Sequence, residues 1–483
     1  PFLVMAAAAV LTVSSCASQK QLPENGIALQ FMDTSVRPQD DFFTYVNGNW
    51  VKTVEIPSDK ASWGSFNELR EKTDENSLAI LNNILTEKYA EGTEGKKIQD
   101  LYSSFMNWDK RNADGINPIK ADLAKIDAIK TVADLQKYLV EATPNGDNIF
   151  YMWRVGADLK ASNDNAIYLG GPALGLGKDY YQKENEANTK TLAEYTKYVS
   201  SMLTVLGYQN ANETAAKIVD LEKRLAKTLL TNEEGRDANK RYNPKTVSEL
   251  SGLVKNVDLA GYLNQVGVKT DRVILGELGY FKNFDAFVNE ANLPLLKDYM
   301  KYHMLSGNAG VLDKKLDDMR FDFYGKFLQG QKEQRAMNKR GLEVVNGILG
   351  EAFGKLYVEK YFPAEAKEEM VTMVDYLKKA YHDHISNLDW MSDETKVKAL
   401  DKLSKFKVKI AYPDKWEDYS KLTVSPDSYF QNRQNITTWN YEKNLEKIGK
   451  KVDKTKWGMT PQTVNAYYSA SNNEIVFPAG ILQ

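Results

Sequence analysis

The sequence is poor in the residues that build disulfide bonds and histidine-ligated metal sites. Its 483 residues contain one cysteine, Cys16, and three histidines. A single cysteine excludes a disulfide within the chain. An excess of one charge is also lacking, because 63 Lys and Arg residues nearly balance 65 Asp and Glu residues, with a formal net charge of −2. This balance gives no electrostatic reason to expect binding to nucleic acid or to an anionic membrane surface.

A long apolar run is absent as well, since the one near the N-terminus covers only residues 2–13. A helix needs about 20 residues to span a bilayer, so this run is too short. It is typical of the apolar region of a secretory signal. The sequence Val-Ser-Ser-Cys at residues 13–16 resembles the cleavage box of bacterial lipoproteins, in which the cysteine becomes the lipidated first residue of the mature protein.

We therefore expect residues 1–16 to be a lipoprotein signal segment that is clipped at its start, and Cys16 to carry a lipid that anchors the protein to a membrane. The polar residues 17–35 are expected to form a flexible tether. The predicted location is the bacterial cell envelope, facing the periplasm or the cell exterior. The alternative is a plain signal peptide with an incidental cysteine.

The body of the chain has mainly helical periodicity. One predicted helix ends at Gly207, a good C-terminal cap, and its apolar residues are spaced three and four apart: Leu192, Tyr195, Val199, Met202 and Leu206. Ser392 predicts the start of another helix. We expect the apolar stripe of that helix, formed by Val397, Leu400 and Leu403, to be buried.

Residues that could carry hydrolytic chemistry do not converge in the sequence. His382 and His384 fall on one predicted helix about 200° apart, so they cannot ligate one metal ion together. We expect His384 and His303 to be core or boundary histidines with satisfied hydrogen bonds. No Ser-His-Asp or Cys-His arrangement can be built with any specificity. The sequence therefore predicts neither a catalytic residue nor a metal ligand.

The last twenty residues, 464–483, are predicted to form a hairpin. Residues 464–469 are aromatic and β-branched with a period of two, residues 470–473 have the composition of a turn, and an apolar run follows up to Pro478. On such a strand Asn465, Tyr467 and Ser469 would share one face. An ordinary structural hairpin is the alternative interpretation.

The amino-acid sequence of this hairpin resembles a segment of the neprilysin family of metallopeptidases. It reads Asn-Ala-Tyr-Tyr-Ser at residues 465–469 and Asn-Glu-Ile-Val-Phe-Pro-Ala-Gly-Ile-Leu-Gln at residues 473–483. In that family this segment stands just upstream of the zinc motif. Other stretches similar to the family follow in matching order over residues 36–483: 36–50, 56–57, 64–66, 69–70, 174–181, 241–244, 341–362 and 390–392.

The resemblance implies a mainly α-helical, two-lobed protein with a few short strands, which ends in the first strands of a thermolysin-like catalytic domain. The expected domains are the family's N-terminal helical domain at residues 36–413, a connector at 414–463 and the start of the zinc domain at 464–483. In the family a His-Glu-x-x-His helix supplies zinc ligands shortly downstream. We therefore expect zinc to be bound by residues beyond Gln483, and the chain as given to be inactive alone.

The resemblance also implies where peptide substrates bind. The family residues that match Asn465 and Ala466 hold the substrate backbone, and we include the adjacent Tyr467. Arg70 corresponds to one of two arginines that hold the free carboxylate of short peptides. Ser62 occupies the other position, which argues against strict carboxylate recognition.

The predicted function is thus the N-terminal portion of a secreted, lipid-anchored zinc metalloendopeptidase that cleaves peptides of modest size. The alternative is a non-catalytic, helical surface lipoprotein that binds peptides or sugars.

Overall fold

The structure is a computed structural model that describes residues 27–483. The predicted signal segment 1–16, the anchor Cys16 and the first part of the tether lie outside the described residues. The chain divides into two compact units at residue 57.

The first unit, residues 27–57, is built around one helix, α1 (Phe42–Thr53), preceded by a 3-10 turn at Leu29–Phe31. The side chain of Asp41 caps α1 by accepting a hydrogen bond from the backbone of Thr44. Asp33 pairs with Lys52 at 2.6 Å. Hydrogen bonds from Lys52 and then from Ser35 lower the pKa of Asp33 to about 2. Defined contacts therefore begin before residue 36, within the predicted tether.

The second unit, residues 58–483, is mainly helical, as the sequence predicts. Its helices are α2 (Ser65–Thr86), α3 (Glu94–Met106), α4 (Trp108–Asp114), α5 (Lys120–Asp127), α6 (Val132–Ala142), α7 (Lys178–Gln182), α8 (Glu186–Val205), α9 (Ala211–Ala226), α10 (Ala238–Arg241), α11 (Val247–Leu253), α12 (Leu259–Gln265), α13 (Leu278–Lys282), α14 (Phe284–Phe287), α15 (Leu293–Asn308), α16 (Lys314–Arg320), α17 (Met337–Ile348), α18 (Gly350–Tyr361), α19 (Ala364–Ser386), α20 (Asp393–Ser404) and α21 (Tyr429–Glu446). A π-helical segment, Phe321–Leu328, continues α16.

Two small sheets accompany these helices. The first contains β1 (Trp153–Ala157), β2 (Asn165–Leu169), β3 (Asn243–Thr246) and β4 (Arg272–Leu275) in the order β1-β2-β4-β3. The second contains β5 (Lys407–Ala411), β6 (Tyr467–Ser469) and β7 (Glu474–Pro478) in the order β5-β7-β6. In the second sheet β7 pairs in parallel with β5 and antiparallel with β6.

The second unit has two hydrophobic cores. The first core lies among α5, α6, α8, α9, α12, α15 and the four-stranded sheet. It is rich in tyrosines with no exposed surface: Tyr151, Tyr195, Tyr262, Tyr299 and Tyr302. The second core joins α2, α3, α17, α18, α21 and β5. Burying an apolar side chain contributes about 1.5–3 kcal/mol, so these cores hold the helices in place.

Two helix ends match the sequence prediction. One helix face that was predicted to be buried is not buried. The helix α8 is followed by Gly207 in the left-handed conformation, with φ of 87°, and the side chain of Ser392 caps α20. The prediction that α20 has a buried stripe is wrong. None of its residues is buried, and Val397 is 68% exposed. Among residues 27–483, no helix is long and apolar enough to cross a bilayer.

Candidate functional site

The predicted hairpin at the end of the chain is present as β6 and β7. Tyr467 pairs with Val476 and Ser469 with Glu474, and a turn at residues 470–473 joins the two strands. Asn473 in this turn has a positive φ of 49°, which asparagine tolerates better than most residues. Because β7 is the central strand, β6 forms one edge of the sheet, and no strand in the described part of the chain pairs with its outer side.

The strand predicted over residues 464–469 is shorter than expected. Val464 is buried, and residues 464–466 lead into β6 without belonging to it. Asn465 is exposed, and its side-chain oxygen accepts a hydrogen bond of 2.8 Å from the backbone N–H of Ala466. Its own N–H donates to the carbonyl of Thr463 at 3.1 Å. These local bonds replace strand pairing, which is a known property of asparagine.

Tyr467 is held in place through its hydroxyl group. The hydroxyl oxygen accepts a hydrogen bond of 2.7 Å from the backbone N–H of Gly458. Burial raises the pKa of Tyr467, so the neutral phenol is favoured. The tyrosine thus ties the start of β6 to the preceding loop, and Asn465, two residues earlier, is exposed.

A buried ion pair beneath the hairpin was not predicted from the sequence. Glu474, which is 1% exposed, lies 3.0 Å from the ammonium group of Lys409 on β5. Lys409 also donates to the carbonyl of Lys456 at 2.8 Å, and Asn472 donates to Glu474 at 3.2 Å. The one sequence signal is a glutamate at the head of an otherwise apolar run. The pair joins β5, the turn and the loop before β6.

Arg70, the other predicted substrate-binding residue, lies on the exposed side of α2. No ion pair or hydrogen bond of its side chain is found within residues 27–483. The helix α2 packs against the 3-10 turn Ala479–Leu482 that follows β7. Asn465, Ala466 and Tyr467 are consecutive in the sequence and therefore lie together. Within residues 27–483 no contact between them and Arg70 is found. Ser62 is exposed near the start of α2.

A charged cluster surrounds Glu71, the neighbour of this arginine. Lys60 lies 2.6 Å from the Glu71 carboxylate, and Lys339 donates to its other oxygen. Arg335 contacts Glu71 at 3.4 Å and Asp74 at 2.7 Å. Burial alone would raise the pKa of Glu71, but hydrogen bonds from Lys339 and Lys60 lower it to about 2.

The three histidines do not form a metal site. His303 contacts Glu222 at 2.8 Å and is 12% exposed, so the prediction of a satisfied core histidine is confirmed there. The same prediction is wrong for His384, which is exposed on α19 together with His382. Within residues 27–483 no group of three or more His, Cys, Asp or Glu side chains could hold a metal ion. The described residues therefore do not fit a zinc-binding role by themselves.

Most of the chain matches the model of a known protein family. The family model of peptidase family M13 matches residues 38–413. The chain belongs to peptidase family M13. The neprilysin-like family inferred from the sequence motifs is thus confirmed. M13 membership supports a metalloendopeptidase-like function and peptide substrates for this chain.

Similar proteins and solved structures agree with this assignment. The neutral endopeptidase of Lactococcus lactis subsp. lactis (strain IL1403) is 30% identical over 454 residues, which cover 92% of this chain and 72% of the relative. The crystal structure of the Mycobacterium tuberculosis zinc metalloprotease Zmp1 in complex with inhibitor has a TM-score of 0.89 at 34% identity, covering 95% of this chain and 70% of that one. PepO from Lactobacillus rhamnosis HN001 has a TM-score of 0.84 at 24% identity, covering 93% and 72%, and supports the fold alone.

Proposed function

We propose that this M13 chain binds extended peptides as part of a zinc metalloendopeptidase, with β6 as the strand against which the substrate lies. The supporting observation is the unpaired outer edge of β6, a strand that starts two residues after Asn465. A peptide can add to such an edge through main-chain hydrogen bonds, which give affinity without reading the side chains of the substrate.

In this proposal Asn465 holds the substrate backbone. Its amide carries both a donor and an acceptor. The oxygen already accepts from Ala466, which fixes the orientation of the side chain. The NH2 group has no hydrogen-bond partner within residues 27–483, so it is available to a peptide carbonyl.

The domain organisation is part of the same proposal. Residues 36–413 would form the helical domain, 414–463 a connector and 464–483 the start of the zinc domain. A catalytic zinc site takes about three protein ligands. Because residues 27–483 offer no such group, we assign peptide binding to them and assign the zinc ligands to residues outside them.

The N-terminal anchor completes the proposal: Cys16 would carry the lipid that holds the protein at the cell envelope. If Cys16→Ser in the precursor leaves processing and membrane association unchanged, the anchor is wrong and the rest of the proposal stands.

The function is tested with the full-length gene product and a short fluorogenic peptide. Asn465→Ala should lower kcat/KM by about 2- to 13-fold, since one lost hydrogen bond costs about 0.5–1.5 kcal/mol. Bound zinc, measured by elemental analysis, should not change. A matched control is Asn239→Ala, because Asn239 is exposed on α10 and belongs neither to the second sheet nor to the segment that leads into β6.

Three outcomes decide against parts of the proposal. Loss of zinc from the Asn465→Ala variant would make Asn465 a structural or metal-site residue. An unchanged kcat/KM would remove Asn465 from substrate binding. Peptide binding without cleavage by the wild type would favour the non-catalytic lipoprotein.

A further inference from the structure

A cavity of about 290 Å³ lies beside the buried pair of Glu222 and His303, and His303 forms part of its wall. The second half of α15 lines one side of the cavity, and residues 146–149, which follow α6, line another. Ile126 of α5 and Tyr138 of α6 also belong to the wall. The volume is just below the range of about 300–1,000 Å³ that is usual for drug-sized ligands. The cavity therefore suits a smaller molecule.

Asp147 lines this cavity and carries a carboxylate that has no partner. Its backbone N–H donates to the carbonyl of Ala142 at 3.2 Å, after Gly146 has turned the chain with a positive φ of 82°. No hydrogen bond or ion pair of its side chain is found within residues 27–483. The residue is half-buried, and its oxygens are not sealed off by protein atoms. A partly desolvated charge without a partner is unfavourable, so a ligand that pairs with it stabilises the site.

The cations near Asp147 already have carboxylate partners. Lys125 pairs with Asp122 at 2.9 Å, and His303 pairs with Glu222 at 2.8 Å. Burial, and then the negative charge of Asp122, raise the pKa of Asp147 to about 7, while Lys125 acts in the opposite direction. A bound cation would therefore supply a counter-charge that the neighbouring side chains do not.

Two further oxygen acceptors of the cavity wall lack a donor. The hydroxyl of Tyr138, a residue only 6% exposed, makes no hydrogen bond in the described part of the chain, and burial and then Asp147 raise its pKa. The amide of Asn308 donates to the carbonyl of Met304 at 2.9 Å, which leaves its Oδ1 without a partner among residues 27–483. A primary ammonium group has three donors and no acceptor. It therefore matches a wall that offers acceptor oxygens.

Much of the remaining wall is apolar. Met300 and Met304 stand one turn apart on α15 and are 3% and 6% exposed, and Ile126 has no exposed surface. Methionine side chains are flexible and adapt to aliphatic groups of different shape. Within residues 27–483 no group of three or more His, Cys, Asp or Glu side chains could hold a metal ion. An organic cation with an aliphatic part thus fits this cavity better than a metal ion.

We propose that the cavity binds a primary ammonium group on a short aliphatic stem, with the ammonium at Asp147 and the stem against Met300 and Met304. A free alkylamine and the lysine side chain of a peptide both carry this group. None of the cavity residues belongs to β6 or to the segment before it. The proposal is therefore independent of the proposed function.

The test is a ligand-observed NMR titration of the full-length gene product at pH 8. The probes are n-butylamine, which is protonated at this pH, and butan-1-ol, which has the same stem without the charge. Wild type should bind the amine about 5- to 30-fold more tightly, since Asp147 is less exposed than the partners of a surface ion pair and a charge-assisted hydrogen bond is stronger than a neutral one. Asp147→Asn should bring the ratio to about one.

Asp375→Asn is the matched control, because Asp375 is exposed on α19 and its side chain likewise has no partner in the part of the chain that the structure describes. It should keep the wild-type ratio. A ratio near one in wild type, or an unchanged ratio in Asp147→Asn, would overturn the proposal.

The pH dependence of binding gives a second readout. Because Asp147 ionises near pH 7, the wild-type affinity for butylamine should rise about tenfold from pH 6 to pH 8, while the affinity for butanol stays constant. Asp147→Asn should abolish the rise. A rise that persists in this variant would come from another group of the wall, such as His303, and would remove Asp147 from the site.

Gly307→Leu tests the position of the site. Gly307 lines the cavity from α15, and a Cβ at this position would meet nothing within 4 Å, so the larger side chain can occupy the cavity without a backbone clash. Both probes should bind more weakly. Unchanged affinity for both, in a variant with a wild-type circular dichroism spectrum, would overturn binding in this cavity.

A capped lysine, N-acetyl-lysine methylamide, distinguishes the two sources of the ammonium group. Tighter binding of butylamine would assign the cavity to free alkylamines, which its small volume favours. Tighter binding of the capped lysine would assign it to lysine side chains of peptides. Failure of both to bind would overturn the proposal.

Discussion

Glu222 and His303 meet in the first core, with the carboxylate oxygen 2.8 Å from the imidazole Nε2. Glu222 has no exposed surface. It also accepts hydrogen bonds from the hydroxyls of Tyr181 at 2.6 Å and Tyr195 at 3.2 Å, and from the N–H of Gly175 at 3.2 Å. One carboxylate therefore joins α9 to α15, α8, α7 and the segment before α7 that contains Gly175.

Removing this carboxylate should destabilise the protein strongly. Glu222→Ala leaves several buried groups without partners, and we expect the free energy of unfolding to fall by about 3–5 kcal/mol. Glu222→Gln keeps some of the bonds and should cost about 1–3 kcal/mol. Urea unfolding measures both. Glu213→Gln on the same helix is the control, since Glu213 is 65% exposed and should change stability by no more than about 0.5 kcal/mol.

The charged cluster around Glu71 should make the free energy of unfolding depend on pH in the acidic range. Its folded pKa, about 2, is below the ordinary value of 4.5. The folded state therefore binds fewer protons, so the stabilisation is complete above about pH 4.5 and is lost as the pH falls towards 2. The full shift corresponds to about 3 kcal/mol, which solvent screening of this partly exposed group reduces to about 1–2 kcal/mol.

The measurement is chemical denaturation at several pH values between 2 and 7. Glu71→Gln should flatten the dependence below pH 4.5, because the substituted side chain does not titrate. Glu68→Gln on the exposed side of the same helix should leave the wild-type profile intact. Identical pH profiles for the two variants would show that the lysine contacts of Glu71 contribute nothing.

Features that depend on local chemistry could be predicted from the sequence. Gly207 ends α8 because glycine adopts a positive φ without a steric penalty. Ser392 caps α20 because its hydroxyl reaches the backbone N–H of Thr395, at 3.3 Å. The hairpin of the candidate site was predictable for the same reason, since turn residues separate two strand-forming runs.

Features that depend on distant residues could not be predicted. The apolar spacing in α20 predicts an apolar face, but it does not predict whether another element packs on that face, and Val397 is exposed. His384 was likewise expected to be a core or boundary residue, but it is exposed on α19. The Lys409–Glu474 pair and the parallel pairing of β5 with β7 bring together parts of the chain that no local pattern connects.

Two glycines should respond in opposite directions to alanine. A Cβ at Gly279 would lie 2.5 Å from the backbone carbonyl oxygen of Thr228, whereas one at Gly347 in α17 would meet nothing within 4 Å. Gly279→Ala should therefore destabilise by about 1–3 kcal/mol, and Gly347→Ala should stabilise by about 0.5–1 kcal/mol, because alanine favours the helix. Thermal unfolding compares the two. A stable Gly279→Ala variant would mean that the backbone at Thr228 can move.

Arg70 should affect the choice between free-acid and amidated peptides, and only modestly. Its guanidinium is exposed and has no partner within residues 27–483, so it is free to meet a substrate carboxylate. Exposed ion pairs contribute about 0.2–1 kcal/mol, and Ser62 supplies no second cation.

We expect Arg70→Gln to reduce the preference for a free carboxylate by about 1.5- to 5-fold, measured as the ratio of kcat/KM for the two peptides in the full-length gene product. Arg236→Gln, at another exposed arginine that has no side-chain partner in the described part of the chain, should leave that ratio unchanged. Equal ratios for wild type and Arg70→Gln would mean that the substrate carboxylate does not reach α2. A loss much larger than fivefold would instead require a desolvated site around Arg70, in which the charge-assisted hydrogen bond is stronger than at an exposed surface.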